Sequence, residues 1–258
     1  LRYTPWQVAV AAVEEEGSEA HERIRGFTSL AGTPVIVGTL HSMIAPAVLA
    51  FHAVFPARRV VYIMTDGAAL PLSLSHLVRQ LKAQGLLAVT ITAGHAFGGD
   101  LEAVNIYSGL VAAKTVAAAD LIVITMGPGI VGTGTKYGFS GIEQAYILEA
   151  VAKLGGYPIA IPRISFADPR PRHWGLSHHG QTVLGELTTT PVAIGLPRWD
   201  EEKRRILTRQ FRDSGASKHH LYTVEIPEVE TLLSARNLQV KTMGRGVQED
   251  PAFFETAA

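Results

Sequence analysis

The chain has 258 residues, of which 47% are hydrophobic, and its 23 Lys and Arg residues balance its 23 Asp and Glu residues. Balanced charge argues against binding to nucleic acid or to an anionic membrane, since either needs a broad basic surface. The sequence has no cysteine, which excludes disulfides, a thiolate nucleophile and a thiolate metal site. No apolar run reaches the ~18 residues of a membrane span, and no signal peptide is visible. The absence of cysteine fits a cytoplasmic protein, which is the location we expect; a removed targeting segment upstream of Leu1 is the alternative.

Short β-branched apolar runs alternate with helical patterns along the chain. The predicted strands cover residues 33–38, 59–64, 87–92, 121–125, 157–162, 192–196, 220–226 and 238–242. The predicted helices cover residues 6–16, 42–55, 72–84, 101–119, 142–154, 200–212, 228–235 and the C-terminal residues, with weaker helical character at 182–187. Asp100 is predicted to cap the helix over 101–119. Ser140 is predicted to cap the helix over 142–154, with Glu143 at capping-box spacing.

This alternation predicts a parallel sheet covered by helices on both faces. We therefore expect a doubly wound, three-layer α/β fold, with residues 1–258 forming a single domain. The alternative is a (β/α)8 barrel, because eight strands are predicted. The long irregular loops and the charged last three units favour the open sheet.

In either fold, ligands bind at the carboxyl ends of the strands, where loops leave a crevice and helix N-termini point free N–H groups into it. Polar, titratable or glycine-rich residues follow six of the eight predicted strands. In strand order they are His41; Asp66; His95 and Asp100; the loop over 126–141; Ser165, Asp168, Arg170 and His178; and Arg245. Connections alone do not require so many such residues, so we expect a binding site at this edge.

The loop over 126–141 is the most glycine-dense stretch of the chain. Its candidate ligand-binding residues are Gly127, Gly129, Gly132, Thr133, Gly134 and Thr135. Residues 127–132 match the dinucleotide pattern G-x-G-x-x-G, but the match follows the fourth strand and does not open its helix directly. NAD(P) and FAD are therefore disfavoured as cofactors. We expect the loop to bind a smaller phosphate or carboxylate through exposed N–H groups, with a purely structural loop as the alternative.

His95, which follows a glycine in a flexible segment, is the best acid–base candidate, because an imidazole titrates near neutral pH. Asp66 or Asp100 would orient its ring. The alternatives are a surface histidine at 95, a turn-forming aspartate at 66, and a His41 that only precedes the helix cap Ser42.

A divalent metal held by His41, Asp66, His95 and His178 is chemically sensible, because nitrogen and oxygen ligands suit such ions. No short ligand motif supports it, so the cofactor is left open. Neighbouring residues point in different directions on a helix or strand, so only one of His178 and His179 is expected to enter a site.

Three arginines at the strand ends carry planar charges suited to phosphate or carboxylate: Arg170, Arg172 and Arg245. For Arg172 a solvated surface charge is the simpler interpretation. The sequence contains neither a nucleophile elbow nor a P-loop lysine, which disfavours the common hydrolases and ATP-dependent enzymes that use them.

Six motifs, in order along the chain, carry a resemblance to known proteins. They are Leu-His-Ser-Met at 40–43, Thr-Asp-Gly at 65–67, Gly-His-Ala-Phe-Gly-Gly-Asp at 94–100, Gly-Pro-Gly-Ile-Val-Gly-Thr-Gly-Thr at 127–135, Ser-His-His at 177–179 and Thr-Met-Gly-Arg-Gly at 242–246. Together they resemble a bacterial family catalogued only as a domain of unknown function, over nearly the whole chain. The resemblance implies a further β-rich segment upstream of Leu1, so this sequence is expected to be part of a longer chain. It supplies no activity or substrate.

The sequence thus predicts an enzyme acting on a small phosphorylated or carboxylated metabolite. The glycine loop and Arg245 would hold the anion, and His95 would act as general acid or base in hydrolysis or another transfer at a phosphoryl or acyl centre. The alternative is a non-catalytic binding or sensor domain that holds the same ligand. A homodimer is expected as the commonest oligomer.

Overall fold

A computed structural model of the chain describes residues 9–65 and 71–258. One sheet has eight parallel strands, and a second has two short antiparallel strands. The strands are β1 (Pro34–Val37), β2 (Val60–Thr65), β3 (Val89–Ala93), β4 (Leu101–Ala103), β5 (Leu121–Met126), β6 (Tyr157–Ala160), β7 (Ile164–Ser165), β8 (Gly175–Leu176), β9 (Ala193–Pro197) and β10 (His220–Val224). Strands β7 and β8 form the small sheet.

The strand order across the large sheet is β10-β9-β6-β1-β5-β2-β3-β4. Strands β10 and β4 are its edges, and no pairing joins them within the described residues. The sheet is therefore open, and the barrel alternative is wrong.

Helices cover both faces of this sheet. They are α1 (His21–Arg25), α2 (Ile44–Val54), α3 (His76–Ala83), α4 (Ile106–Thr115), α5 (Glu143–Lys153), α6 (His178–Gly180), α7 (Glu201–Asp213), α8 (Val229–Ala235) and α9 (Pro251–Ala257), and α6 continues as a π-helix over Gln181–Leu187. Helices α2, α3, α8 and α9 share an apolar cluster with Tyr62 and Met64 of β2, whereas α4, α5 and α7 share one with Val61 and Ile63. Successive side chains of a strand point to opposite faces, so the predicted three-layer α/β fold is confirmed.

The central strands β2 and β5 are buried along their whole length. Because both faces of a parallel sheet are covered, such strands are apolar throughout rather than alternating. Each fully buried Val or Ile side chain contributes roughly 1.5–3 kcal/mol to folding. The centre of the sheet is thus the rigid base on which the loops at its carboxyl edge are built.

Neighbouring strands β1 and β5 lead the chain to opposite faces of the sheet. After β1 the chain enters α2 on one face, and after β5 it enters α5 on the other. Loops that separate in this way leave a crevice at the carboxyl ends of their strands. The fold therefore places a crevice at the residues that follow Val37 and Met126.

Residues 101–119 do not form the single helix that was predicted. Leu101–Ala103 pair in parallel with β3 as the edge strand β4. Helix α4 begins only at Ile106, and the side chain of Asn105 caps it by accepting backbone N–H groups.

The loop over 94–100 is a tight connection between the neighbouring parallel strands β3 and β4. Asp100, predicted as a helix cap, instead accepts hydrogen bonds from the backbone N–H and the hydroxyl of Thr90, at 2.8 and 2.9 Å, and pairs with Lys82. Gly98 has a φ of 90°, and a Cβ on Gly99 would lie 2.8 Å from two backbone atoms. Both positions therefore require glycine. The helix prediction failed because Asp100 binds Thr90 of β3, a contact that the sequence around Asp100 does not reveal.

The predicted strand over 238–242 and the predicted helix over 6–16 are also wrong where the structure describes them. Leu238 and Val240 are buried in the apolar cluster of α2 and α3, but these residues join no sheet. The alternating apolar pattern of these residues is explained by burial of their side chains, without pairing to a strand. Residues 9–16 contain turns rather than a helix.

Candidate functional site

A cavity of ≈ 740 Å³ opens at the carboxyl ends of β1 and β5. Four parts of the chain line it: the loop after β1, the first residues of α3, the start of the glycine loop, and the segment over 237–243. Its titratable lining residues are His41, His76 and Lys241, and no carboxylate lines it among the described residues. The positive charge of Lys241 is therefore not offset by an acidic side chain in this described lining.

His41 is the most constrained titratable residue of this cavity. Its Nε2 lies 2.6 Å from Ser75 Oγ, and its Nδ1 lies 3.4 Å from the carbonyl oxygen of Met126 and 3.3 Å from the hydroxyl of Tyr62. Ser75 caps α3 by accepting the N–H of Val78 at 3.1 Å. The Ser75 hydroxyl can therefore donate its own proton to His41 Nε2, which leaves the ring proton on Nδ1 to be donated to the Met126 carbonyl.

Burial lowers the pKa of His41 from 6.5 to about 4, although the hydrogen bond to the Met126 carbonyl opposes this. The imidazole is therefore neutral at pH 7 and able to accept a proton. Burial raises the pKa of Tyr62, and the charge of Glu143 raises it further while the hydrogen bond to Thr125 opposes the rise. Tyr62 thus remains a protonated hydroxyl beside the His41 ring.

Glu143 is a buried carboxylate at the end of β2 that sequence reasoning did not identify as part of a site. Its side chain accepts a hydrogen bond from the Thr65 hydroxyl at 2.5 Å and one from the Tyr146 hydroxyl at 3.4 Å. The predicted capping box is wrong, because Ser140 Oγ accepts the N–H of Val131 at 2.9 Å and no side chain caps α5. The only sequence signal was a Glu at a helix start, which a capping role explained equally well.

The glycine loop faces the cavity with its first half only. Gly127 and Gly129 line the cavity, and Gly129 has a φ of 109°, which other residues rarely adopt. The other predicted ligand-binding residues of the loop form a turn outside this cavity: Gly132, Thr133, Gly134 and Thr135. The Thr133 N–H closes this turn by donating to the Gly138 carbonyl at 2.8 Å.

The polar segment after β6 and the turn after residue 242 meet in an ionic network. It contains Ser165, Asp168, Arg170 and Arg245, all predicted to bind ligand, together with Arg163 and Asp250. The Asp168 Oδ2 atom accepts from three guanidinium groups, at 2.8, 3.2 and 3.3 Å. The hydrogen bond from Arg170 is the largest cause that holds the pKa of Asp168 well below its usual range. These arginines are paired within the protein and do not line the cavity, so their ligand-binding role stays a prediction.

Three histidines form a second concentration of titratable groups. One nitrogen from each of His173, His178 and His179 lies within 4.8 Å of the other two. The rings of the adjacent His178 and His179 lie together, with their centroids 4.1 Å apart, and the expectation that only one of them enters a site stays a prediction. Ser177 caps this turn by accepting the His179 N–H, and side-chain rotation at the helix start brings both rings together.

The remaining predicted catalytic residues are dispersed. His95 is exposed in the loop between β3 and β4 and does not line the cavity. Asp100 fastens that loop to β3, and Asp66 lies outside the described residues. In the part of the chain that the structure describes, one group of three metal-ligating side chains is present, and it includes His178 but neither His41 nor His95.

The fold and the cavity define a three-layer α/β protein with a crevice at the switch point of an open parallel sheet. The chain belongs to the family described as "Protein of unknown function (DUF3866)", whose model matches residues 1–258. The resemblance to a family of unknown function is thereby confirmed. No curated protein matches the chain. Within residues 9–65 and 71–258, every helix is too short or too polar to cross a lipid bilayer.

Proposed function

We propose that this protein is an enzyme that binds a small phosphorylated or carboxylated metabolite in the cavity at β1 and β5. The observation that carries this proposal is the cavity lining, in which the positive charge of Lys241 occurs without a carboxylate among the described residues. A volume of ≈ 740 Å³ falls within the range of small-molecule sites, roughly 300–1,000 Å³.

Two helices begin at this cavity. The turn His41–Met43 leads directly into α2, and the first residues of α3, His76 and Leu77, line the cavity. The N–H groups at helix N-termini carry partial positive charge and favour a nearby anion by about 0.3–1 kcal/mol per helix. Lys241 adds a full positive charge from the C-terminal segment, so several groups of one sign converge on the same space.

His41 is the group best placed for acid–base chemistry at this cavity. Its neutral ring can accept a proton at Nε2 while the Met126 carbonyl holds the proton on Nδ1. Ser75 is the hydroxyl nearest to Nε2, so it would relay a proton from an attacking water or hydroxyl group. Hydrolysis or transfer at a phosphoryl or acyl centre remains the reaction class to test. The role of His95 as the base stays a prediction.

A non-catalytic binding domain is the second candidate. Both ring nitrogens of His41 already have protein partners, which favours a histidine that shapes a pocket. The two candidates differ in turnover. A panel of phosphate esters, acyl phosphates and carboxylate esters should yield product with the enzyme and not with the binding domain, and a His41→Gln variant should abolish the product.

Anion binding is tested by melting temperature in phosphate or sulfate against chloride, at matched ionic strength and pH. A specific anion at ~100 times its dissociation constant adds ~2.7 kcal/mol of stability, which raises the midpoint by several degrees. We expect Lys241→Ala to lose most of this rise. Lys153→Ala, an exposed lysine at the end of α5, should keep it. An equal rise in both variants would contradict an anion site that includes Lys241.

The cytoplasmic location, the single-domain organisation and the homodimer stay predictions of the same proposal.

A further inference from the structure

The three histidines of the cluster, His173, His178 and His179, are the strongest feature that the proposed function leaves unused. Their ring centroids lie 4.1, 4.9 and 5.3 Å apart. The Nε2 atom of His178 and the Nδ1 atom of His179 are buried and have no hydrogen-bond partner among the described residues. A buried polar nitrogen is normally paired in a folded protein, so these two atoms are candidates for binding a ligand.

We infer that His173, His178 and His179 bind a divalent transition-metal ion, and that Zn²⁺ is the ion best suited to them. Imidazole nitrogen is a preferred ligand of zinc, at ≈ 2.0–2.1 Å, and three histidines with an open fourth position form a known class of zinc site. Ligand nitrogens around a tetrahedral ion lie about 3.4 Å apart at that bond length. The three nitrogens already lie within 4.8 Å of one another, so modest side-chain rotation closes the site.

The surroundings hold the rings in place as the outer shell of a metal site would. Ser177 Oγ lies 3.0 Å from His173 Nδ1 and accepts the His179 N–H at 3.2 Å. A partner at Nδ1 leaves Nε2 of His173 as its ligand nitrogen, which is the usual means by which a protein orients a ligating histidine. Phe139 stacks on the His179 ring at 4.0 Å. The site is therefore largely formed without an ion.

Nearby charged side chains influence both the protonation of the three histidines and the overall charge of the metal complex. Burial, together with the charge of Arg163, lowers the pKa of His173 to about 3 and that of His179 to about 4. The rings are therefore neutral at pH 7, which is the form that binds a metal. Arg163 and Arg170 also repel a dication, and Asp168, which pairs with both, offsets part of that repulsion. We therefore expect the ion to carry an anion, such as hydroxide, at its fourth position.

One histidine of the cluster also lines a second cavity. His178 lines a cavity of ≈ 480 Å³, together with Gly134 of the glycine loop and Glu186. We expect the ion to reach the three rings from this side, where His178 borders the cavity. It is separate from the cavity that His41 lines, so the metal site and the anion site can be tested independently.

The test is a titration of the untagged, metal-free chain with Zn²⁺ by calorimetry and with Co²⁺ by visible absorption. We expect one ion per chain and the absorption of four-coordinate Co²⁺. Loss of an outer partner by Ser177→Ala should weaken binding ~10–100-fold, and loss of a ligand by His178→Gln should weaken it more than ~100-fold. His220→Gln, an exposed histidine on β10, should bind as the native chain does.

Two outcomes would overturn the inference. One is the absence of stoichiometric binding by the native chain. The other is a His178→Gln variant that keeps its circular dichroism and binds Zn²⁺ within ~10-fold of the native chain. X-ray absorption on the native chain with one equivalent of Zn²⁺ does not depend on any variant. It should show three imidazole nitrogens at ≈ 2.0–2.1 Å, and a shell of oxygen ligands alone would contradict the site.

Discussion

His41 Nε2 lies 2.6 Å from Ser75 Oγ, and the same hydroxyl caps helix α3. One side chain thus fixes both the start of a helix and the tautomer of the histidine at the cavity.

The first prediction concerns this double role of Ser75. Ser75→Ala removes the cap and leaves His41 Nε2 without its partner. We expect the free energy of unfolding to fall by about 1–3 kcal/mol, because a lost cap costs about 0.5–2 kcal/mol and an unpaired buried nitrogen adds to it. Urea denaturation measures the change. Ser73→Ala, at an exposed serine in the same segment, should stay within about 0.5 kcal/mol of the native chain; similar losses in both variants would show that Ser75 has no special role.

The second prediction is a loss of stability in mild acid. The folded chain binds a proton at His41 only near pH 4, whereas the unfolded chain binds it at 6.5. The contribution of neutral His41 is therefore complete above pH 6.5 and is lost as the pH falls towards 4, to a limit of about 3 kcal/mol. His173 and His179 act in the same direction.

Urea unfolding between about pH 7 and about pH 4.5 measures this slope. A His41→Gln variant should lose less stability over that range than the native chain does. Ser73→Ala, at an exposed residue that does not titrate, should match the native slope. If all three slopes coincide, the low pKa of His41 is refuted.

The third prediction concerns the ionic network around Asp168. Arg245 is the ion-pair partner of buried Asp250 and one of three partners of Asp168. Arg245→Ala should lower the free energy of unfolding by about 3 kcal/mol, because it leaves a buried carboxylate without its counter-charge. Arg170→Ala should cost less, since Arg170 is more exposed and Asp168 keeps two other partners.

Urea denaturation of the Arg245→Ala and Arg170→Ala variants measures which substitution costs more stability. Arg209→Ala, at an exposed arginine on α7, serves as the control and should change little. Adding Asp250→Asn to Arg245→Ala should restore part of the loss, because the unpaired charge is then removed. No restoration would mean that the Arg245 side chain contributes through packing rather than charge.

The loop over 94–100 is expected to require glycine at position 99. A Cβ on Gly99 would lie 2.8 Å from the Leu101 carbonyl oxygen and from the Thr92 nitrogen. Gly99→Ala should therefore destabilise the protein by about 1–3 kcal/mol, as expected when backbone must shift. Gly17, where a Cβ would meet nothing within 4 Å, provides the matched control. Thermal unfolding of both variants measures the difference. If Gly99→Ala is no less stable than the Gly17→Ala control, then position 99 does not require glycine.

Much of the fold could be predicted because its signals are local. The continuous apolar runs of β2 and β5 mark buried parallel strands, and Asp200 caps α7 as its sequence position indicates. The failures share a cause in distant contacts. Locally, the sequence around Asp100 is typical of a helix cap, but in the fold the Asp100 carboxylate binds Thr90 of β3. The alternation of Leu238 and Val240 is typical of a strand, but in the fold both side chains are buried in the apolar cluster of α2 and α3.

The site was predicted less completely than the fold. The position of the crevice followed from the rule for parallel sheets, and His41 and the start of the glycine loop lie there. Lys241 lines the same crevice, and Ser75 contacts His41 from behind it; both come from remote parts of the chain, and no local pattern marks them. The grouping of His173 with His178 and His179 depends on side-chain rotation at one helix start, which spacing alone cannot specify.

The tight connection between β3 and β4 has a consequence for the order in which the sheet assembles. Ile91 pairs with Leu101 across a short stretch of chain, whereas Val35 pairs with Ile122 and Pro34 with Tyr157. Closing a longer loop loses more chain entropy before any contact is gained. Pairing of β3 with β4 therefore loses the least loop-closure entropy in this sheet, whereas the central strand β1 pairs with strands from both halves of the chain. Folding of this sheet should proceed from its β4 edge towards its centre.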